Sequence, residues 1–208
     1  EELTFDYTGV AFPGVVDLTF IFDNDIQGNA QEFPEDWTFY FDDIVLRTTG
    51  GTGGDGASGC DACTDFDDPG ITYNFIDFGT PTGPMTVLTM DPLDSGNTVA
   101  STTKPLGASA DSGTTLDSGT LVYPLSAANS KISIRIYAPV AGMPVRLRLQ
   151  DASDSMRSVE TEVITTTAGA WETLVFDFNN PVSGTPALDP SYTYDQLSIL
   201  FNFGTDGN

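Results

Sequence analysis

Apolar and polar residues alternate one for one along several stretches of this chain, and that period of two constrains the fold more than any other feature. Ile132, Ile134 and Ile136 alternate with Lys131, Ser133 and Arg135, and Val145, Leu147 and Leu149 alternate with Arg146 and Arg148. Successive side chains of a β-strand point to opposite faces, so such runs read as strands with one buried and one solvent-facing side. The segment 138–144 between them carries Pro139, Gly142 and Pro144, which suits a loop reversing an antiparallel pair. Further strands are expected at 2–7, 16–22, 37–46, 73–78, 86–89, 121–124, 159–165, 172–178 and 196–203. Gly, Pro, Asn and Asp separate nearly all of them, and no long window has a helical period. The expected class is all-β, an antiparallel β-sandwich.

The chain of 208 residues is long enough for one large sandwich, or for one plus part of another. Comparison of the sequence with itself favours the second arrangement. Glu1, Leu3, Phe5 and Asp6 recur as Glu172, Leu174, Phe176 and Asp177, an offset of 171 (172 minus 1). Leu18, Phe22, Gly28 and Asn29 recur as Leu197, Phe201, Gly207 and Asn208, an offset of 179 (197 minus 18). On this reading residues 1–50 are the last strands of one repeat, 51–63 a Gly-rich linker, and 64–208 the next repeat without its closing strand. That closing strand would be like 37–46. A sandwich lacking it exposes unpaired backbone groups and an apolar groove, so either 37–46 folds back within the chain or another copy fills the gap. Trp37, Phe39, Phe41, Ile44 and Leu46 are the residues such a strand exchange would carry.

Charge and cysteine content narrow the partners. Thirty acidic residues against seven basic ones give a formal charge of −23, which disfavours nucleic acid and anionic membrane surfaces. No apolar run approaches the ~18 residues of a spanning helix, so membrane insertion is not expected. The first twenty residues show no basic region followed by an apolar stretch, so any export signal is expected to lie upstream or to have been removed. Cys60 and Cys63 form a C-x-x-C motif, yet with no histidine and no third cysteine the ligand set of a structural zinc site cannot be composed. A local disulfide in an oxidising, extracellular or cell-surface compartment is expected instead.

Residues 168–178, Ala-Gly-Ala-Trp-Glu-Thr-Leu-Val-Phe-Asp-Phe, together with 39–46, Phe-Tyr-Phe-Asp-Asp-Ile-Val-Leu, resemble the late strands of carbohydrate-binding-module-like jelly rolls. The opening at 64–73, the Arg-Leu-Arg-Leu-Gln-Asp strand at 146–151 and the Val-Glu-Thr-Glu-Val strand at 159–163 are similar to a repeat of large exported proteins of marine bacteria. The resemblance implies a jelly-roll sandwich that binds sugars, joins domains or builds adhesive fibres. It also implies a structural calcium ion, with Asp42 and Asp43 at the closing pair and Asp65, Asp67 and Asp68 near the first strand. Calcium wants six to eight oxygens, which convergent carboxylates and carbonyls supply; the same residues also suit solvated turns.

Trp37, Tyr73, Tyr123, Tyr137, Tyr192 and Tyr194 are candidates for stacking on sugar rings, whereas Trp171, Phe176 and Phe178 are assigned to the core. Lys131, Arg135, Arg146 and Arg148 fall on the non-core face of the expected hairpin and form a basic stripe with Arg157 nearby. Such a stripe suits uronate or sulfate groups of a polysaccharide, acids of a neighbouring subunit, or an internal network with Glu160 and Glu162. Catalysis is not expected, because there is no histidine, no plausibly placed cysteine nucleophile and no Gly-x-Ser-x-Gly elbow. The expected function is glycan binding or surface adhesion, with an extracellular polysaccharide as partner. The alternative is a structural homopolymer, a filament whose copies complete each other's sheets by strand addition.

Overall fold

The computed structural model describes residues 37–47, 63–81, 85–117 and 123–207. The chain divides into two units, Glu1–Phe33 and Pro34–Asn208, and every described residue belongs to the second. The first blocks of the duplicated sequence lie outside the described residues, as do the strands expected at 2–7 and 16–22.

The described residues form eleven strands: β1 (Trp37–Arg47), β2 (Cys63–Thr64), β3 (Phe75–Phe78), β4 (Thr86–Met90), β5 (Thr98–Lys104), β6 (Gly113–Leu116), β7 (Lys131–Tyr137), β8 (Pro144–Asp151), β9 (Asp154–Ile164), β10 (Trp171–Asp177) and β11 (Gln196–Phe201). They pair antiparallel into two sheets. The first, sheet A, has the order β10-β7-β1-β5-β4 with the short β2 beside β1, and the second, sheet B, has the order β3-β6-β11-β8-β9. The expected all-β sandwich is what forms. No helix among the described residues is long and apolar enough to cross a membrane.

The period of two explains the packing. Phe39, Phe41, Ile132, Ile134, Ile136, Leu174 and Phe176 point inward from sheet A, and Val145, Leu147, Leu149, Val159, Leu197, Ile199 and Phe201 from sheet B, all buried in one cluster. Phe201 joins the layers, stacked on Phe39 with ring centroids 4.6 Å apart and tilted against Phe41 at 5.8 Å. Where the edges of the sheets meet, Asp77 of β3 accepts hydrogen bonds from the Met85 and Thr86 amides and from the Thr86 hydroxyl of β4. Lys104 is buried against sheet B and donates to the carbonyls of Ala110, Phe201 and Asn202 at 3.2–3.3 Å. Burial pushes its ammonium down to about 8, against the opposing pull of Asp206 and Asp111.

Three sequence expectations are corrected. First, β7 and β8 do not pair with each other; they lie in opposite sheets, and the chain between them crosses the sandwich. Each strand carries one apolar face, and stacking those faces across the interior buries both, whereas a hairpin would need a further layer. Second, β5 and β6 are strands the alternation did not mark, because Thr, Ser, Ala and Gly carry a weak apolar signal. Third, the described part of the segment expected at 121–124 is not strand, and Tyr123 and Leu125 plug into the core from a loop.

The strand at 37–46 takes an interior place. β1 lies between β5 and β7, with Phe39, Phe41, Ile44 and Leu46 essentially fully buried. Truncating Phe41 to alanine is expected to cost about 3–5 kcal/mol in chemical denaturation, the range for a fully buried aromatic. Val87→Ala, on an exposed position of edge strand β4, should cost no more than about 0.5 kcal/mol. Similar losses in the two variants would contradict the assignment of β1 to the core.

Candidate functional site

The outer face of sheet A carries the residues that alternate with the core set. Phe39 and Phe41 turn inward, so Tyr40 and Asp42 turn outward; Ile134 and Ile136 turn inward, so Arg135 and Tyr137 turn outward. In register, Tyr137 stands opposite Tyr40 on one side and Trp171 on the other. Three half-buried aromatic residues thus form a row across three adjacent strands. Tyr40 and Tyr137 meet edge to face with centroids 5.6 Å apart, and Tyr137 and Trp171 do so at 5.8 Å, a geometry the ring quadrupoles favour.

A polar cluster adjoins this row. Asp43 adopts φ of 47°, in the left-handed region that Asp tolerates better than most residues, and the β1–β7 register shifts between Asp42 and Val45. The bulge lets both carboxylates reach one guanidinium: Arg135 Nη1 lies 3.5 Å from Asp42 Oδ2 and 3.2 Å from Asp43 Oδ2. The Arg135 guanidinium also covers the Trp171 ring at 4.6 Å.

The loop between β4 and β5 closes over the cluster. Asn97 Nδ2 donates to Asp42 Oδ2 at 2.9 Å and to Asp91 Oδ2 at 3.2 Å. Trp171 Nε1 donates to Asp91 Oδ1 at 3.0 Å. Since β10 and β4 are the two edges of sheet A, this bond spans the outer face and makes it a roofed surface. Burial would raise Asp91, but hydrogen bonds from the Leu93 amide, Trp171 and Asn97 outweigh it and hold its carboxyl below the usual range. Asp42 is the opposite case: burial pushes it from 3.8 up to about 7, only partly offset by the Asn97 side chain. Its Oδ1 is buried without a hydrogen-bond partner.

The residues singled out in the sequence scatter over the molecule. Of the aromatic candidates, Tyr137 is in the row; Tyr123 and Tyr194 are core residues, and Trp37 and Tyr73 pack partly buried against the core. Tyr192 is exposed, with the Arg157 guanidinium 5.3 Å from its ring. Trp171 is not in the core. Leu174 and Phe176 face inward from β10, so position 171 has the opposite parity and faces out.

The basic stripe is divided as well, because β7 and β8 lie in different sheets. Arg135 belongs to the outer face of sheet A, whereas Arg146 and Arg148 lie on sheet B. There Arg146 pairs with Glu160 at 3.3 Å and Glu162 at 3.0 Å, and Arg148 pairs with Glu160 at 3.2 Å. Arg146 also lies over the Phe203 ring at 3.5 Å. The internal network is therefore what these arginines form. Tyr40, Asp91 and Asn97 are the site residues that the sequence reading missed.

The five aspartates proposed as calcium ligands divide into two groups. Asp42 and Asp43 hold Arg135. Asp65 accepts the Asp67 amide at 3.2 Å, Asp68 accepts the Gly70 amide at 2.8 Å, and Asp67 accepts the Thr98 amide at 3.0 Å. Among the described residues no three acids or cysteines are grouped so as to hold a metal ion. Cys60 lies outside the described residues, and Cys63 pairs through its backbone with Val45.

The raised carboxyl of Asp42 sets a pH dependence. Its folded form holds a proton more tightly than the unfolded chain, so its stabilising contribution is complete below 3.8 and is lost as pH rises through about 7. Asp42→Asn, measured by denaturation in chelator, should remove a fall in stability on the order of 1–3 kcal/mol across that window. Parallel stability profiles for the two proteins would contradict the burial of an uncompensated carboxyl.

A scan against protein-family models finds no match for this chain, and searches of curated proteins and of solved structures find none either.

Proposed function

We propose that this sandwich is a non-catalytic glycan-binding module of an exported protein, acting outside the cell or at its surface in adhesion to polysaccharide. The observation that carries the reading is the Tyr40–Tyr137–Trp171 row beside the accessible Asp43, Asn97 and Arg135, which the buried carboxylates of Asp42 and Asp91 hold in place. Sugars present an apolar C–H face and a ring of hydroxyls. Aromatic side chains suit the first, and carboxylate, amide and guanidinium groups suit the second. The jelly-roll resemblance of 168–178 and 39–46 supports the same reading, since those two segments contain β10 and much of β1, which supply Trp171 and Tyr40.

Charge selects among glycans. The chain carries a formal charge of −23, and the one arginine of the site is shared by two carboxylates, so uronate-rich or sulfated polymers meet repulsion. The proposed ligand class is therefore neutral polysaccharide. Calcium, implied by the same resemblance, would compete with Arg135, which already lies against both Asp42 and Asp43; a metal there would have to displace the guanidinium.

Affinity electrophoresis against neutral and sulfated polysaccharides tests the proposal. Retardation by a neutral polymer is expected, and Tyr137→Ala should weaken it about tenfold, as for the loss of ~60 Å² of ring contact at ~25 cal/mol/Å². Binding that survives both Tyr137→Ala and Trp171→Ala in folded protein would place the glycan elsewhere. For the metal, thermal unfolding in millimolar calcium and in chelator should give the same midpoint; a calcium-dependent rise abolished by Asp42→Asn would show a bound ion instead.

A further inference from the structure

The interior of the sandwich is not wholly apolar on the side where the edge strands β3 and β4 meet. There Thr102 and Lys104 of β5 and Ser112, which precedes β6, line a cavity of about 10 Å³ that is walled also by Phe39, Met85 and Phe201. A space of that order, about 10–15 Å³, holds one water molecule when it offers several polar partners as well.

Each of the three polar side chains keeps hydrogen-bonding capacity that the protein does not use. Ser112 Oγ is buried and, among the described residues, has no hydrogen-bond partner. A hydroxyl so placed is destabilising unless something pairs with it. Lys104 Nζ reaches its three carbonyls at 3.2–3.3 Å, the long end for an N–H donor, so its protons are incompletely engaged. The Thr86 and Thr102 hydroxyls lie 2.8 Å apart, and Thr86 Oγ1 lies 2.7 Å from Asp77 Oδ1. A hydroxyl has one proton, and Thr86 gives its own to the carboxylate, the stronger acceptor. Thr102 is therefore the donor to Thr86, and a lone pair of Thr102 Oγ1 remains to accept a further bond.

We propose that this cavity is a binding site for a single water molecule, which accepts from Lys104 Nζ, donates to Thr102 Oγ1 and pairs with Ser112 Oγ. Three partners are the usual number for a buried water. The water joins Lys104 and Ser112 to the Thr102–Thr86–Asp77 chain, so one hydrogen-bonded path links β3, β4, β5 and the start of β6 across both sheets. The cavity is too small for an organic ligand. A halide would be drawn to the ammonium, yet it would meet the lone pair of Thr102 and needs more room than a water. The site lies between the sheets and is independent of glycan binding on the outer face of sheet A.

High-resolution diffraction from crystals of the full chain grown in bromide tests the site, together with magnetic relaxation dispersion of the water oxygen in solution. A density peak is expected within about 2.7–3.2 Å of Lys104 Nζ, Thr102 Oγ1 and Ser112 Oγ, without bromide's anomalous signal. Ser112→Val fills the space with methyl groups, and Thr102→Val keeps the shape of the side chain but removes the acceptor. Each variant should lose the peak and lower the dispersion amplitude by one long-lived water. A wild-type map without density in the cavity, an anomalous bromide peak there, or equal amplitudes in wild type and both variants would overturn the proposal.

Discussion

The structure depends on the seating of β1 between β5 and β7. An interior strand pairs on both sides, and without this one sheet A would separate into β4–β5 and β7–β10. Its four inward side chains, Phe39, Phe41, Ile44 and Leu46, contribute about 1.5–3 kcal/mol each by burial. Their sum is comparable with the whole stability of a domain, about 5–15 kcal/mol. A single strand thus governs whether the core is complete.

The same strand builds the outer face. Its pleat sends Tyr40 and Asp42 away from the core, and the bulge at Asp43 turns a second carboxylate toward Arg135. The roof is supplied from elsewhere, by Asp91 and Asn97 of the β4–β5 loop bonded to Trp171 and Asp42. Fold and site are therefore coupled: a change that loosens β1 disturbs the core and the aromatic row together. The buried, half-satisfied Asp42 is the stability cost of placing a carboxylate in that roofed position.

Much of the architecture was legible in the sequence, because β7, β8 and β10 show clean alternation and the parity of each strand announces its buried face. Strict use of that parity would also have sent Trp171 outward, since Leu174 and Phe176 occupy the inward positions. Aromatic bulk was instead read as core. The alternation could not say which strands share a sheet, so Arg135 was grouped with Arg146 and Arg148 although the sandwich places them on opposite layers. β5 escaped notice because Thr98–Lys104 holds its place by β-branched packing and by a buried lysine, neither of which gives an apolar pattern. The site itself required tertiary knowledge: Asp91 and Trp171 are eighty positions apart and meet only because a loop spans the sheet.

Amide hydrogen exchange read residue by residue examines the seating of β1 most directly. The Phe39 and Phe41 amides should be protected to the same degree as those of Ile134 and Ile136 on β7, as expected for strands paired on both sides. Exchange of the β1 amides as fast as that of the exposed loop residue Ser95 would contradict the account at its base.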